Sequence, residues 1–276
     1  MQPLIGVSHM TAIELTPPQL VTAAEEAGIR HVGFRLAPAR AGEAQHPMLG
    51  DTPMMRETLA RLADTGVGVL DFDILRLAAD TDIGRFKPVL EAGARLGAKH
   101  LLVAVDGDDE ARMVELFGQA CAAGREFGLT MNLEFMPSTA VKSLAQAERF
   151  LRRVDRPEAR ILIDAIHLDR SGGANDEVAR VPRGMLEYAQ ICDAPAERPQ
   201  DPAAMLFQAR YERLFPGEGG LDLIGLLRAL PRDLPLSLEV PRTELAKTVP
   251  AAQRARRAMA GLQQLLDRLD EEGMAA

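Results

Sequence analysis

The 276-residue chain is short of cysteine, of long apolar runs and of clustered positive charge, and each shortage excludes a class of protein. By the pattern of their surroundings its two cysteines, Cys121 and Cys192, fall on a helix and at a strand end, which argues for free thiols and against a disulfide scaffold. No apolar stretch approaches the ~20 residues that cross a bilayer, so no membrane partner is expected. The opening "MQPLIGVSHM" lacks the basic start and long apolar segment of a signal peptide. With 32 Lys and Arg against 40 Asp and Glu the formal charge is −8, and no basic stripe is present to pair with a phosphate backbone. Nucleic acid is therefore excluded as a partner. Neither GxGxxG nor GxxxxGKS/T occurs, which removes the usual signatures of a nucleotide-binding open sheet. The remaining composition, 47% apolar and 26% charged, fits a soluble cytoplasmic protein with ample material for a core.

What is present is a repeating alternation. Short aliphatic runs at 4–8, 31–35, 67–74, 100–105, 129–135, 160–166, 185–192 and 235–240 read as strands. Amphipathic stretches at 17–27, 52–65, 84–97, 109–126, 143–153, 220–229 and 250–271 read as helices, with a short one near 175–182. "PPQLVTAAEEAG" shows the punctuation: prolines in the first turn and Gly28 as the stop. Strands alternating with helices imply βαβ units and a parallel sheet. Eight units of ~30 residues fit one α/β domain over 1–276, a single (β/α)8 TIM barrel. The longest irregular segment, 193–220, reads as an active-site loop.

In such a barrel the C-terminal ends of the strands converge on one mouth. There the second half of the sequence places Glu134, Asp164, Gln190 and Glu239, each an oxygen donor set in apolar surroundings. Taken singly, a carboxylate ending a strand is more often a helix cap, and a glutamine more often a satisfied core amide. As a set, three carboxylates in a low-dielectric mouth repel one another unless a cation compensates. One divalent metal ion solves that problem, and an all-oxygen donor set favours Mn²⁺ or Mg²⁺ over Zn²⁺. Arg210, Arg213 and Glu218, on the long loop, are candidates to close over a substrate, against the plainer reading of a solvated charged loop. His9, His46, Arg35 and Arg242 lie near strand ends and are weaker candidates, whereas His31 and His100 lie at strand starts and read as structural.

"LEFMP" at 133–137, "LIDAIHLDRSGG" at 162–173, "QICDAP" at 190–195, "FPGEGGLD" at 215–222 and "LEVP" at 238–241 together resemble the xylose isomerase-like TIM barrels of sugar isomerases and epimerases. The resemblance runs over nearly the whole chain. It implies that strands five to eight supply Glu134, Asp164, Gln190 and Glu239 to one divalent metal, and that His167 faces the substrate. Gln190 departs from the histidine usual in the sugar epimerases and matches related barrels that include 3-dehydroshikimate dehydratases. Many members of the family are dimers or tetramers, so the resemblance admits a homo-oligomer. Its DNA-repair branch has a multi-zinc site rich in histidine, which five histidines and a negative net charge fit poorly.

The expected partner is a small sugar or sugar-like polyol. A cation binding the carbonyl and a neighbouring hydroxyl would acidify the α-proton and stabilise an enediolate. Glu134 and Glu239 would then serve as base and acid in an isomerase or epimerase, with His167 a third catalytic candidate. If a β-hydroxyl leaves instead, the same site is a dehydratase like those acting on 3-dehydroshikimate or inosose. A barrel that only binds a ligand is the remaining alternative. Under either catalytic reading, Glu134→Gln should abolish turnover in a steady-state assay; activity retained on the true substrate would remove Glu134 from the site.

Overall fold

Eight parallel strands pair in chain order and the eighth returns to the first, so the sheet closes into a barrel with no free edge. The computed structural model describes residues 3–40, 42, 43 and 45–274; positions 1, 2, 41, 44, 275 and 276 of the expected 1–276 span lie outside the described residues. The strands are β1 (Ile5–Ser8), β2 (His31–Arg35), β3 (Gly68–Leu77), β4 (His100–Val105), β5 (Thr130–Glu134), β6 (Ala159–Asp164), β7 (Leu186–Ile191) and β8 (Leu236–Leu238). Between and after them run α1 (Pro17–Glu26), α2 (Pro53–Thr65), α3 (Ile83–Arg95), α4 (Glu110–Arg125), α5 (Leu144–Val154), α6 (Ala165–Arg170), α7 (Asn175–Val178), α8 (Pro202–Tyr211), α9 (Leu223–Ala229), α10 (Thr243–Ala246) and α11 (Ala251–Met274). This is the (β/α)8 barrel that the alternation predicts. Among the described residues no helix is long and apolar enough to cross a membrane.

Strand alternation sorts the side chains into two apolar layers. Leu133, Ile161, Ile163, Ala189, Ile191 and Leu238 face outward and pack under the helices in the larger core. Leu102, Ala104, Leu162 and Tyr188 face inward and fill the barrel itself. The same alternation turns Glu134, Gln190 and Glu239 toward the barrel axis. Asp164 of β6 is the register partner of Gln190 of β7, which sets these two side by side at the mouth.

Three local departures from the sequence reading bear on the site. β6 ends at Asp164, not 166, because the Asp164 carboxylate caps α6 by accepting from the backbone N–H of Ile166 (2.9 Å) and His167 (3.2 Å). Gly172, at φ +78°, takes the left-handed conformation just after that helix ends. The segment 193–220, read as irregular, contains α8, capped by Asp201 and opened by Pro202. Only Ala209 of α8 is buried and Phe207 is exposed, so the helix has no apolar stripe for periodicity to reveal.

Helix packing on the barrel is tight at Gly93 of α3, where a Cβ would stand 2.4 Å from Cε1 of the buried Phe72 ring on β3. Ala in a helix interior is intrinsically better than Gly by about 1 kcal/mol. Overpacking costs about 1–3 kcal/mol, and a rigid ring cannot swing aside cheaply. Gly93→Ala should therefore lower unfolding stability in urea, and Phe72→Leu in the same chain should recover part of the loss.

Candidate active site

The mouth is built from the ends of four neighbouring strands. Glu134 closes β5, Asp164 closes β6, Gln190 is the penultimate residue of β7, and Glu239 follows β8 with its N–H donating to Ile191 O. All four side chains are buried, together with His167 on the first turns of α6. Donor atoms of Glu134, Asp164 and His167 lie within 4.8 Å of one another, and His167 Nε2 stands 4.0 Å from Glu134 Oε1. Gln190 Nε2 donates to Glu239 Oε2 at 2.5 Å, and Ser8 Oγ donates to the same oxygen at 3.0 Å.

The buried Arg213 guanidinium threads between two of the carboxylates. It meets Asp164 Oδ2 at 2.7 Å through Nη1 and Glu239 Oε1 at 2.9 Å through Nη2. Burial and this pairing divide the acids. Burial, then the charges of Glu239 and Asp164, push the Glu134 carboxyl well above the ordinary range. Burial lifts Glu239 to about 7, although Arg213 opposes it. Asp164 is equally buried, yet Arg213, His167 and the capped N–H groups hold it below the usual carboxylate value. Burial also drives His167 down to about 4, so its imidazole is neutral near pH 7.

The donor chemistry fits a cation. Glu134 Oε1 and Gln190 Oε1 are both buried acceptors with no hydrogen-bond partner, the costly condition that a metal ion relieves. Donor atoms of Glu134, Asp164 and His167 lie close enough to share one ion, and Gln190 and Glu239 stand beside them. His167 Nδ1 is also without a partner, which leaves the ring free to act on a substrate beside the ion.

Outward from these groups the mouth opens into a cavity of about 590 Å³. Seven arginines line it. Six are paired: Arg35 with Asp73, Arg40 with Glu43 and Tyr211, Arg76 with Asp106, Arg213 as above, Arg242 with Glu218, and Arg254 with Glu14. Arg210, on the last turn of α8, makes no hydrogen bond or ion pair among the described residues. Its guanidinium is depressed below its ordinary range by burial and by the positive neighbours Arg40 and Arg76. Glu218 does not line the cavity; it pairs with Arg242 and Arg257 behind it. His9 is fully buried, bonded to Leu15 O and to the Arg35 N–H, and stacks on His46, which does line the cavity.

Sequence reasoning passed over β3. Asp71 and Asp73 alternate there around Phe72 and are buried, the first accommodated by Gly33, whose missing Cβ would fall 2.2 Å from Asp71 Oδ1. Two acids at period two inside an apolar strand are the signal that marks them. Tyr211 was hidden because α8 itself was.

Comparison with known proteins follows this geometry. The xylose isomerase-like TIM barrel family matches residues 21–268. A 3-dehydroshikimate dehydratase of Pseudomonas aeruginosa is 32% identical over 103 residues, which cover 36% of this chain and 16% of that protein. Among solved structures, a xylose isomerase-like TIM barrel/4-hydroxyphenylpyruvate dioxygenase fusion protein superposes with TM-score 0.80 at 21% identity, over 99% of this chain and 45% of that one. The chain thus spans less than half the length of either. The IolI protein with a bound zinc atom superposes with TM-score 0.74 at 17% identity, over 98% and 99% of the two chains. The Glu134, Asp164 and His167 cluster is the observation that supports a metal ion here. Protein purified without chelator should carry about one divalent ion per chain by elemental analysis, and Glu134→Gln should lower that content.

Proposed function

The chain belongs to the xylose isomerase-like TIM barrel family, and from that premise we propose that it is a metal-dependent lyase that removes water from a cyclic hydroxyketone bearing a carboxylate, of the 3-dehydroshikimate kind. The observation that carries this reading is Arg210. Among the described residues it is a half-buried guanidinium with no hydrogen bond or ion pair, in a cavity that Arg40 and Arg76 also line. A half-buried cation without a partner suits an anion, and its planar fork suits a carboxylate. A neutral sugar leaves it unsatisfied. Gln190 in the donor set and the likeness to a 3-dehydroshikimate dehydratase over part of the chain support the same choice.

In this reading residues 1–276 act as one domain. Glu134, Asp164, Gln190 and Glu239 hold one divalent ion, for which their oxygens favour Mn²⁺ or Mg²⁺ over Zn²⁺. The ion, when bound, supplies Lewis acidity toward a carbonyl and its neighbouring C–H. Arg210 anchors the carboxylate at the outer end of the cavity, and the carboxylate cluster receives the oxygenated end. His167, neutral and with a free ring nitrogen, takes the proton from the carbon beside the carbonyl. It returns that proton to the β-hydroxyl as the C–O bond breaks and the C=C bond forms. Water leaves, and His167 ends in the state in which it began.

Isomerisation or epimerisation of a sugar is the second reading. It is favoured by Glu134 and Glu239, two carboxyls lifted by burial that line one cavity and would give and take a proton on opposite faces. Incubation with 3-dehydroshikimate should give a dehydrated, UV-absorbing product. Solvent deuterium entering ketoses at the α-carbon, with no such product from the acid, would instead establish the epimerase. For the lyase, His167→Asn should cost about 10²–10⁴ in kcat. Arg210→Met should raise KM for the acid far more than it lowers kcat.

A further inference from the structure

We propose that Arg213 is a resident counter-cation of the candidate metal centre: it holds the Asp164 and Glu239 carboxylates together without a divalent ion, and its charge limits how tightly that ion binds. The inference rests on the metal reading above and concerns a role that a substrate contact does not explain. Arg213 is 3% exposed, and its donors are spent inside the protein. Nη1 reaches Asp164 Oδ2 at 2.7 Å and Glu239 O at 3.2 Å, Nη2 reaches Glu239 Oε1 at 2.9 Å, and Nε donates to Ala209 O at 2.7 Å. A guanidinium so committed has little left with which to grip a substrate.

Its backbone is anchored as firmly as its head. The Arg213 N–H donates to Pro241 O, and Leu214 exchanges backbone hydrogen bonds with Asp193, which directly follows the Gln190 strand and Cys192. The Asp193 carboxylate in turn accepts from the N–H groups of Gly217, Gly219 and Leu221. The segment after α8 is therefore clamped so that it delivers one positive charge to one place. That charge alters the sum at the mouth. Glu134, Asp164 and Glu239 bring three negative charges and Arg213 one positive, and a divalent ion completes neutrality. Without the guanidinium the cluster has a larger unmet negative charge, which weakens the stripped fold and strengthens its pull on a cation. An arginine serving only as scaffold predicts the reverse, because loosened ligands bind an ion less well.

The test uses the full chain stripped with chelator, as wild type, Arg213→Met and Arg213→Lys. Tm is read without metal, and Mn²⁺ affinity by titration calorimetry. Arg213→Met should lower the stripped Tm by about 5–10 °C and bind Mn²⁺ about tenfold tighter or more. Arg213→Lys, which keeps the charge but not the fork, should stay near wild type in Mn²⁺ affinity and lose less Tm than Arg213→Met. A Met variant that folds only when Mn²⁺ is present supports the proposal equally. It is overturned if Arg213→Met binds Mn²⁺ no tighter than wild type, or if its stripped Tm is unchanged. If wild type takes up no Mn²⁺, the metal reading fails on its own. The stripped Tm values then still decide the holding role: a larger loss with Met than with Lys upholds it, and equal values refute it.

Discussion

Three carboxylates buried at one end of a barrel are the constraint to which the rest of the mouth answers. Glu134, Asp164 and Glu239 are all nearly inaccessible to water, and each bears on the others' charge. Left alone, such a cluster would protonate or splay apart. The chain meets the repulsion in unequal ways. Asp164 is given two backbone N–H groups and a guanidinium. Glu239 is given the same guanidinium, an amide and a hydroxyl. Glu134 has no such partner on its buried Oε1. The imbalance leaves one acid with an unmet need at the side of the cavity where His167 stands.

The barrel makes this arrangement affordable because its stability is gathered elsewhere. Outward-facing residues of the same strands pack under the helices in one continuous apolar layer, and inward-facing Leu102, Leu162 and Tyr188 plug the interior below the mouth. The buried polar groups of β6, β7 and the end of β8 are then confined to the mouth, while Asp71 and Asp73 sit deeper on β3. Asp164 shows how close the two roles come. The carboxylate that caps α6, and so fixes where His167 stands, is also a candidate ligand. Loss of that side chain would disturb both the helix start and the charge cluster.

How much of this was legible in the sequence follows from which physical rules act locally. Strand–helix alternation is a matter of periodicity within a dozen residues, so the barrel could be read directly. Acids and amides ending apolar runs mark themselves by contrast, and the structure gathers Glu134, Asp164, Gln190 and Glu239 at one mouth. The position of Arg213 could not be read that way. Its partners lie 49 and 26 residues off in sequence, and on the primary chain it sits among loop residues that look solvated. α8 escaped for a related reason: it covers a mouth rather than a core, so its few buried atoms leave no stripe. Asp71 and Asp73 were visible as a period-two pair and needed only the question to be asked of β3.

The cavity holds groups of both signs, and this bears on what the site can orient. At its inner end lie acids with unmet acceptor oxygens, the setting for a cation and for hydroxyl or carbonyl groups. Arg210 lines the same cavity, where the charges of Arg40 and Arg76 act on it and Glu43 partly offsets them. A substrate with an anionic end and an oxygenated end has one favourable direction in such a field, since the reverse would place a carboxylate against carboxylates in low dielectric. Such orientation needs no shape complementarity along the length of the cavity, so a pocket larger than a single ring can still present one carbon to His167. A neutral polyol would find no such bias and would depend on hydrogen bonds alone. In the lyase reading proposed above, it is this arginine on α8 that separates an anionic substrate from a neutral one.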